Sequence, residues 1–157
     1  MPEYRIIEDS LEGPEVTGLL KFHLAEMHEL SPPCKVHAMP VERLRQADVT
    51  FYSAWDDDAL AAVGALREID PTRGELKSMR ATPAYRGKGA GEAILLHLVA
   101  EAQRRGYAWL GLETGRPDAY LPAQSLYRKH GFSDCEDFGD YVGDEFSMCM
   151  SRTLPAA

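Results

Sequence analysis

The spacing of hydrophobic positions changes several times along the chain, and each change marks a predicted element. Residues 4–7 are a short β-favouring stretch. Over 14–29, Val16, Leu19, Leu20, Leu24 and Met27 recur at helical spacing, so a strand followed by a helix is predicted. Within 30–40, Ser31-Pro32-Pro33 removes backbone donors and fixes φ, which predicts a rigid loop, with a short helix after it over 41–46. Residues 49–55 and 61–69 flank the turn-forming Asp56-Asp57-Asp58 and read as an antiparallel hairpin. Asp70-Pro71-Thr72-Arg73-Gly74 makes the next turn and 75–81 the next strand. After a glycine-rich run, Ile94, Leu95, Leu98, Val99 and Ala102 form one apolar helical face that Gly106 closes. A strand over 109–113, a helix over 122–129 with proline in its first turn, and a strand over 146–153 complete the pattern. Strands dominate the first half and alternate with helices in the second, which predicts a mixed α/β (α+β) sheet.

Composition narrows what such a sheet can do. The 157 residues, 45% hydrophobic and 27% charged, suit one domain with a sizeable core. Glycine and proline are scattered, so 1–157 read as a single unit. A formal charge of -8, from 17 Lys plus Arg and 25 Asp plus Glu, speaks against a nucleic-acid binder or a partner of anionic membranes. Glu3, Glu8 and Asp9 stand where a secretory signal would be basic and then apolar, and no run approaches ~18 apolar residues, so a soluble chain is expected. Cys34, Cys135 and Cys149 form no CxxC, which points away from a disulfide framework or zinc and towards a cytoplasmic setting. His23 and His28 lie five apart, and His37, His97 and His130 lack acidic or cysteine companions at ligand spacing, so no metal is expected. Cys34 has no identifiable histidine partner and reads as an inert thiol.

The run Arg86-Gly87-Lys88-Gly89-Ala90-Gly91 joins a strand to a helix, where unpaired amides and the helix dipole favour an anion. Its glycines permit close backbone approach, and Arg86 and Lys88 reverse the sign of an acidic chain locally. A P-loop would need Ser or Thr after Lys88, and a dinucleotide fingerprint would need glycine at Glu92. A solvated basic loop remains the plain alternative for this run alone. In context, however, PAYRGKGAGEAIL, preceded by ELKSMRA and followed by SLYRKHGF, resembles the GNAT superfamily of acetyl-CoA-dependent N-acetyltransferases over about the second half of the chain. The resemblance implies a GNAT fold, whose mixed, mostly antiparallel sheet splays between two strands at the acetyl-CoA site and is flanked by helices. It also implies that Arg86, Gly87, Lys88, Gly89, Ala90 and Gly91 hold the diphosphate, with Arg86, Gly89 and Gly91 at the motif's defined positions.

Acetyl transfer to an amine needs a neutral amine, a polarised carbonyl and a proton for the leaving thiolate. By the same resemblance, backbone amides of Met79, Arg80 and Ala81 bind the pantetheine arm and the thioester oxygen, while their side chains read equally as sheet core. Tyr127 matches the family's general acid, against the alternative of a helix tyrosine packed on the sheet. Tyr120 stands where the family often has Asn, a departure at a coenzyme contact. Glu75, eleven positions before Arg86, resembles the base of some lysine-modifying members, and Glu113 ends the neighbouring strand. Either can accept a proton directly or through water, and either can equally be a paired structural carboxylate. The acidic run 134–144, with Phe138 and Tyr141, is a lead for a cationic amine. The expectation is an N-acetyltransferase acting by direct attack in a ternary complex on a small-molecule or amino-acid-like primary amine. Its alternatives are a non-catalytic acyl-CoA sensor and a protein lysine or N-terminal acetyltransferase. A homodimer through the C-terminal strands is implied by resemblance only.

Overall fold

The computed structural model describes residues 4–30, 44, 46–116, 120–136, 138 and 147–155. Its strands are β1 (Arg5–Glu8), β2 (Val49–Asp56), β3 (Ala59–Asp70), β4 (Arg73–Ala81), β5 (Trp109–Gly115), β6 (Ser133–Cys135) and β7 (Ser147–Thr153). Among the described residues, three full helices flank them: α1 (Pro14–Leu30), α2 (Ala90–Arg104) and α3 (Leu121–Lys129). The strands form one sheet in the order β1-β2-β3-β4-β5-β7-β6, antiparallel throughout except for the central β4–β5 pair. This is the mixed, mostly antiparallel sheet that the sequence predicts. β6 has only three residues and carries no periodicity that a sequence reading can detect. The expected loop over 30–40 and helix over 41–46 fall almost wholly outside the described residues; Leu44 is helical and buried, and Leu30 ends α1.

Local chemistry sets the strand registers. Trp55 opposes Leu60 and Asp56 opposes Ala59, so the β2–β3 loop is Asp57-Asp58, with Asp57 at φ 50°, a left-handed conformation that Asp tolerates better than most residues. At the β3–β4 turn the Asp70 carboxylate accepts hydrogen bonds from the Thr72 amide and hydroxyl and from Arg73 Nε. That turn places Arg67 opposite Glu75.

Each sheet face has its own core. On one face, Ile94, Leu95, Leu98 and Ala102 of α2 pack with Leu66, Leu76, Leu110 and Leu112, each large aliphatic side chain contributing about 1.5–3 kcal/mol by leaving water. On the other, Val16, Leu19 and Leu20 of α1 pack with Phe51, Val63 and Ala65. α2 can lie close to the sheet because β3 carries Gly64, where a Cβ would come 2.5 Å from Ile94 Cγ2 and 2.7 Å from Met79 Sδ. Gly64→Val is therefore expected to overpack this layer and destabilise the fold by about 1–3 kcal/mol, read as a lower denaturation midpoint with an unchanged m-value.

Candidate active site

β4 and β5 pair only at Arg73–Trp109, Gly74–Leu110 and Glu75–Gly111, then run on to Ala81 and Gly115 without pairing to each other. The divergence coincides with a bulge in β4. Lys77 opposes Ala65 and Arg80 opposes Val63, so Ser78 and Met79 together face Gly64, and Ser78 sits at φ 55°. A bulge bends and twists its strand. Met79, Arg80 and Ala81 thereby present a β5-side backbone edge with no ladder partner among the described residues, suited to an extended ligand with its own donors and acceptors. The side chains of Met79 and Ala81 pack against the α2-side core.

β4 leads through the short 3-10 turn Pro83–Tyr85 into the glycine-rich run. Gly87 at φ 73° and Gly89 at φ 83° take conformations that cost a residue with a Cβ, and Gly89 caps α2 without a side-chain bond. The first intrahelical-type bond runs from the Ala93 amide to the Gly89 carbonyl, so the preceding amides of α2's first turn face outward. A Cβ built at Gly87 or Gly91 would meet no protein atom within 4 Å, which leaves room over those amides for a diphosphate. The loop is braced from outside: Tyr4 donates to the Lys88 carbonyl at 2.8 Å, and Tyr85 donates to Asp56 at 2.7 Å. This geometry fits acetyl-CoA, with the diphosphate on the turn and the pantetheine arm along β4.

Where the β4–β5 pairing ends, a buried charge cluster lies on the sheet face opposite α2. Glu75 is wholly buried, with Arg67 Nε at 2.9 Å and Lys77 Nζ at 3.6 Å from its oxygens. Burial lowers the Lys77 pKa, while the carboxylates of Glu75 and Glu113 act in the opposite direction. Glu113 is half-buried, opposite Cys149 across β7. The structure thus brings Glu75 and Glu113 to one cationic side chain, with Glu113 the more accessible. Arg67 is a member that motif reading misses; counting the register back from the 70–73 turn finds it.

Tyr127 lies on the other sheet face, in the core that contains Ala90 and Ile94, its ring 5.8 Å edge-on from Phe132. Burial pushes its phenol up to about 12. α3 is anchored by Gln124, which donates to the Gly115 carbonyl at 2.6 Å, and Tyr120 covers Gly115 from just before the helix. Phe138, from the acidic run, stacks edge-on to Trp109 at 5.0 Å; most of that run lies outside the described residues, as do Cys34 and His37.

α1 supplies Glu26, which the sequence reading does not single out, and His23, which it weighs only as a metal ligand and sets aside. Glu26 Oε2 lies 2.8 Å from Arg80 and 3.5 Å from Arg86, and these contacts lower the Glu26 pKa, the hydrogen bond from Arg80 foremost. Burial, reinforced by the Arg80 charge, lowers the His23 pKa to about 4. The available signal was polar residues three apart, His23 and Glu26, within an otherwise apolar helical segment.

The model of the acetyltransferase (GNAT) family matches residues 17–132. The chain is 44% identical over 146 residues to the N-acetyltransferase YsnE of Bacillus subtilis, covering 93% of this chain and 97% of that one. It is 43% identical over 151 residues to the N-acetyltransferase YedL of Escherichia coli, covering 96% and 95%. Its fold matches that of a GNAT family acetyltransferase from Elizabethkingia anophelis with acetyl-CoA bound, at a TM-score of 0.68 and 15% identity, covering 96% and 98%.

The His23 shift has a stability consequence. Below its ordinary value of 6.5 the unfolded imidazole takes up a proton that the folded one refuses until about pH 4. The unfolded state therefore binds more protons in that window, and stability falls as pH drops through it, by about 3 kcal/mol over the full shift. His23→Gln is expected to flatten this acid limb in chemical denaturation series at stepped pH.

Proposed function

The chain belongs to the acetyltransferase (GNAT) family and is an N-acetyltransferase, and from that premise we propose that it acetylates a primary amine of a small, amino-acid-like molecule by direct attack in a ternary complex. The observation that carries this reading is the parting of β4 from β5 immediately upstream of an anion-accepting helix terminus. Acetyl-CoA, when bound, supplies the activated acetyl thioester. Arg86, Gly87, Lys88, Gly89, Ala90 and Gly91 hold its diphosphate, through backbone amides and two cations. The edge of Met79, Arg80 and Ala81 aligns the arm and offers amide hydrogens to the carbonyl oxygen.

Proton handling falls to three side chains. Glu113, half-buried beside the parted strands, takes the ammonium proton, directly or through one water. Glu75, enclosed by Arg67 and Lys77, fixes the field around Glu113 and backs it as the second candidate base. Tyr127 presents its phenol hydrogen to the leaving sulfur. With the phenol near 12 and an ordinary thiol near 8.5, complete transfer is uphill by about 5 kcal/mol, so Tyr127 acts by a hydrogen bond that strengthens as thiolate charge develops. A cytoplasmic location and a homodimer joined at the β6–β7 end complete the proposal; among the described residues the three-residue β6 ends the sheet on that side with no further strand paired to it.

Two measurements test the assignment. Gly91→Val should change folding stability by under about 1 kcal/mol, because its side chain enters open space, yet weaken acetyl-CoA binding at least about tenfold by calorimetry. Unchanged binding would remove the diphosphate from this turn. Tyr127→Phe should lower kcat roughly 10²-fold with KM for acetyl-CoA nearly constant. An unaltered kcat would dismiss the phenol from the reaction.

A further inference from the structure

Between α1 and β4, polar atoms are buried without a hydrogen-bond partner among the described residues: His23 Nδ1, Arg80 Nε and Thr82 Oγ1, with Ser78 Oγ just upstream on the same strand. Arg80 and Thr82, two apart on an extended strand, share the face turned towards α1. The Arg80 side chain is only 9% exposed. A buried guanidinium with idle donors is costly, so this arrangement calls for a ligand. Glu26 fills only part of that need. Its Oε2 meets Arg80 Nη2 at 2.8 Å and is shared with Arg86, while Arg80 Nε is left without a partner among the described residues.

The idle groups define the chemistry of what is missing. Arg80 offers N–H groups on a planar fork and Thr82 offers a hydroxyl; the set is rich in donors, the complement of a carboxylate rather than of an ammonium. Phe22 lies against the guanidinium face, its ring centroid 5.1 Å from Cζ, which leaves the N–H edge for polar partners. Arg80 also lies between Met79 and Ala81, so a group held by its side chain sits next to the backbone edge proposed for the thioester.

We infer that Arg80 is the anchor for a carboxylate on the acceptor, with Thr82 and His23 beside it, so that the acceptor class is amino acids bearing a free carboxylate rather than simple amines. This rests on the N-acetyltransferase reading and narrows it. An anion at this position could also come from a phosphate of the coenzyme, and the test separates the two sources.

Protein saturated with coenzyme A is titrated calorimetrically with a panel of N-acetyl-amino acids and their carboxamides. Initial rates are measured on the parent amino acids, their amides and the decarboxylated amines. In the wild type, at least one acid should bind about tenfold or more tightly than its amide. Arg80→Gln should erase that preference while acetyl-CoA affinity stays within about twofold, and Arg80→Lys should restore part of it. Thr82→Val should weaken the acid and spare the amide. Equal binding of acids and amides in the wild type overturns the inference, as does a preference that survives Arg80→Gln. Loss of acetyl-CoA binding in Arg80→Gln, without a wild-type acid preference, assigns the donors to the coenzyme instead. Efficient acetylation of amides and simple amines sinks the carboxylate anchor and leaves the transferase standing. Arg80-dependent carboxylate binding without transfer to any amine keeps the anchor and sinks the transferase reading.

Discussion

The structure depends on a sheet that stops pairing at its centre. Between Glu75–Gly111 and the ends of β4 and β5, backbone groups that a continuous ladder would satisfy are left facing a gap. Unmade ladder bonds are costly, so the gap persists only because neighbouring parts hold it open. The Ser78 bulge turns β4 aside, and its left-handed backbone is a local strain that the surrounding β3–β4 register enforces. On one face α2 clamps β3 and β4 through Ile94 and Leu98 against the small Gly64. On the opposite sheet face, where the pairing ends, Arg67, Glu75 and Lys77 form a buried ion cluster. Removing one partner there would leave an uncompensated buried charge, at a cost of roughly 3–5 kcal/mol.

The charge distribution follows from the same geometry. The chain is acidic overall, at -8, which disfavours anions approaching at long range. Capture of an anionic coenzyme as proposed must therefore be local, and the turn carries the cations for it, Arg86 and Lys88. Glu26 of α1 is shared between the guanidiniums of Arg86 and Arg80. It ties α1, from the first half of the chain, to both β4 and the turn.

How much of this was legible in the sequence varies with the physics of each part. The β2–β3 hairpin and the 70–73 turn were readable because Asp-rich turns state their own geometry. The α2 face was readable because its core is deep and its period regular. β6 was not, since three residues cannot show an alternation. Glycines at 87, 89 and 91 were visible as a motif because backbone conformation and close approach constrain residue type tightly. Arg67 and Glu26 do not stand out in the sequence, and His23 reads there only as a rejected metal ligand, because their surroundings come from partners distant in sequence: Arg67 through strand register, the other two through helix packing. Arg80 was read for its amide, whereas the structure shows a buried side chain with donors of its own.

This difference reflects how the two sides of the cleft are built. The proposed coenzyme side consists largely of main-chain groups: the exposed edge of β4, the first-turn amides of α2 and glycines that leave space above them. Many sequences can supply such groups, provided the few positions that need glycine keep it, so the signature is short and recognisable. The α1 side consists of side chains drawn from separate elements, Phe22, His23 and Glu26 on the helix and Arg80 and Thr82 on the strand. Their meeting is set by the packing of α1 on the sheet through Val16, Leu19 and Leu20. Any of them can change without disturbing the sheet's ladder, so a change in acceptor need not disturb the coenzyme grip. Selectivity in this reading therefore resides where local sequence patterns say least, and the buried Arg80 Nε, unpartnered among the described residues, is its clearest physical trace.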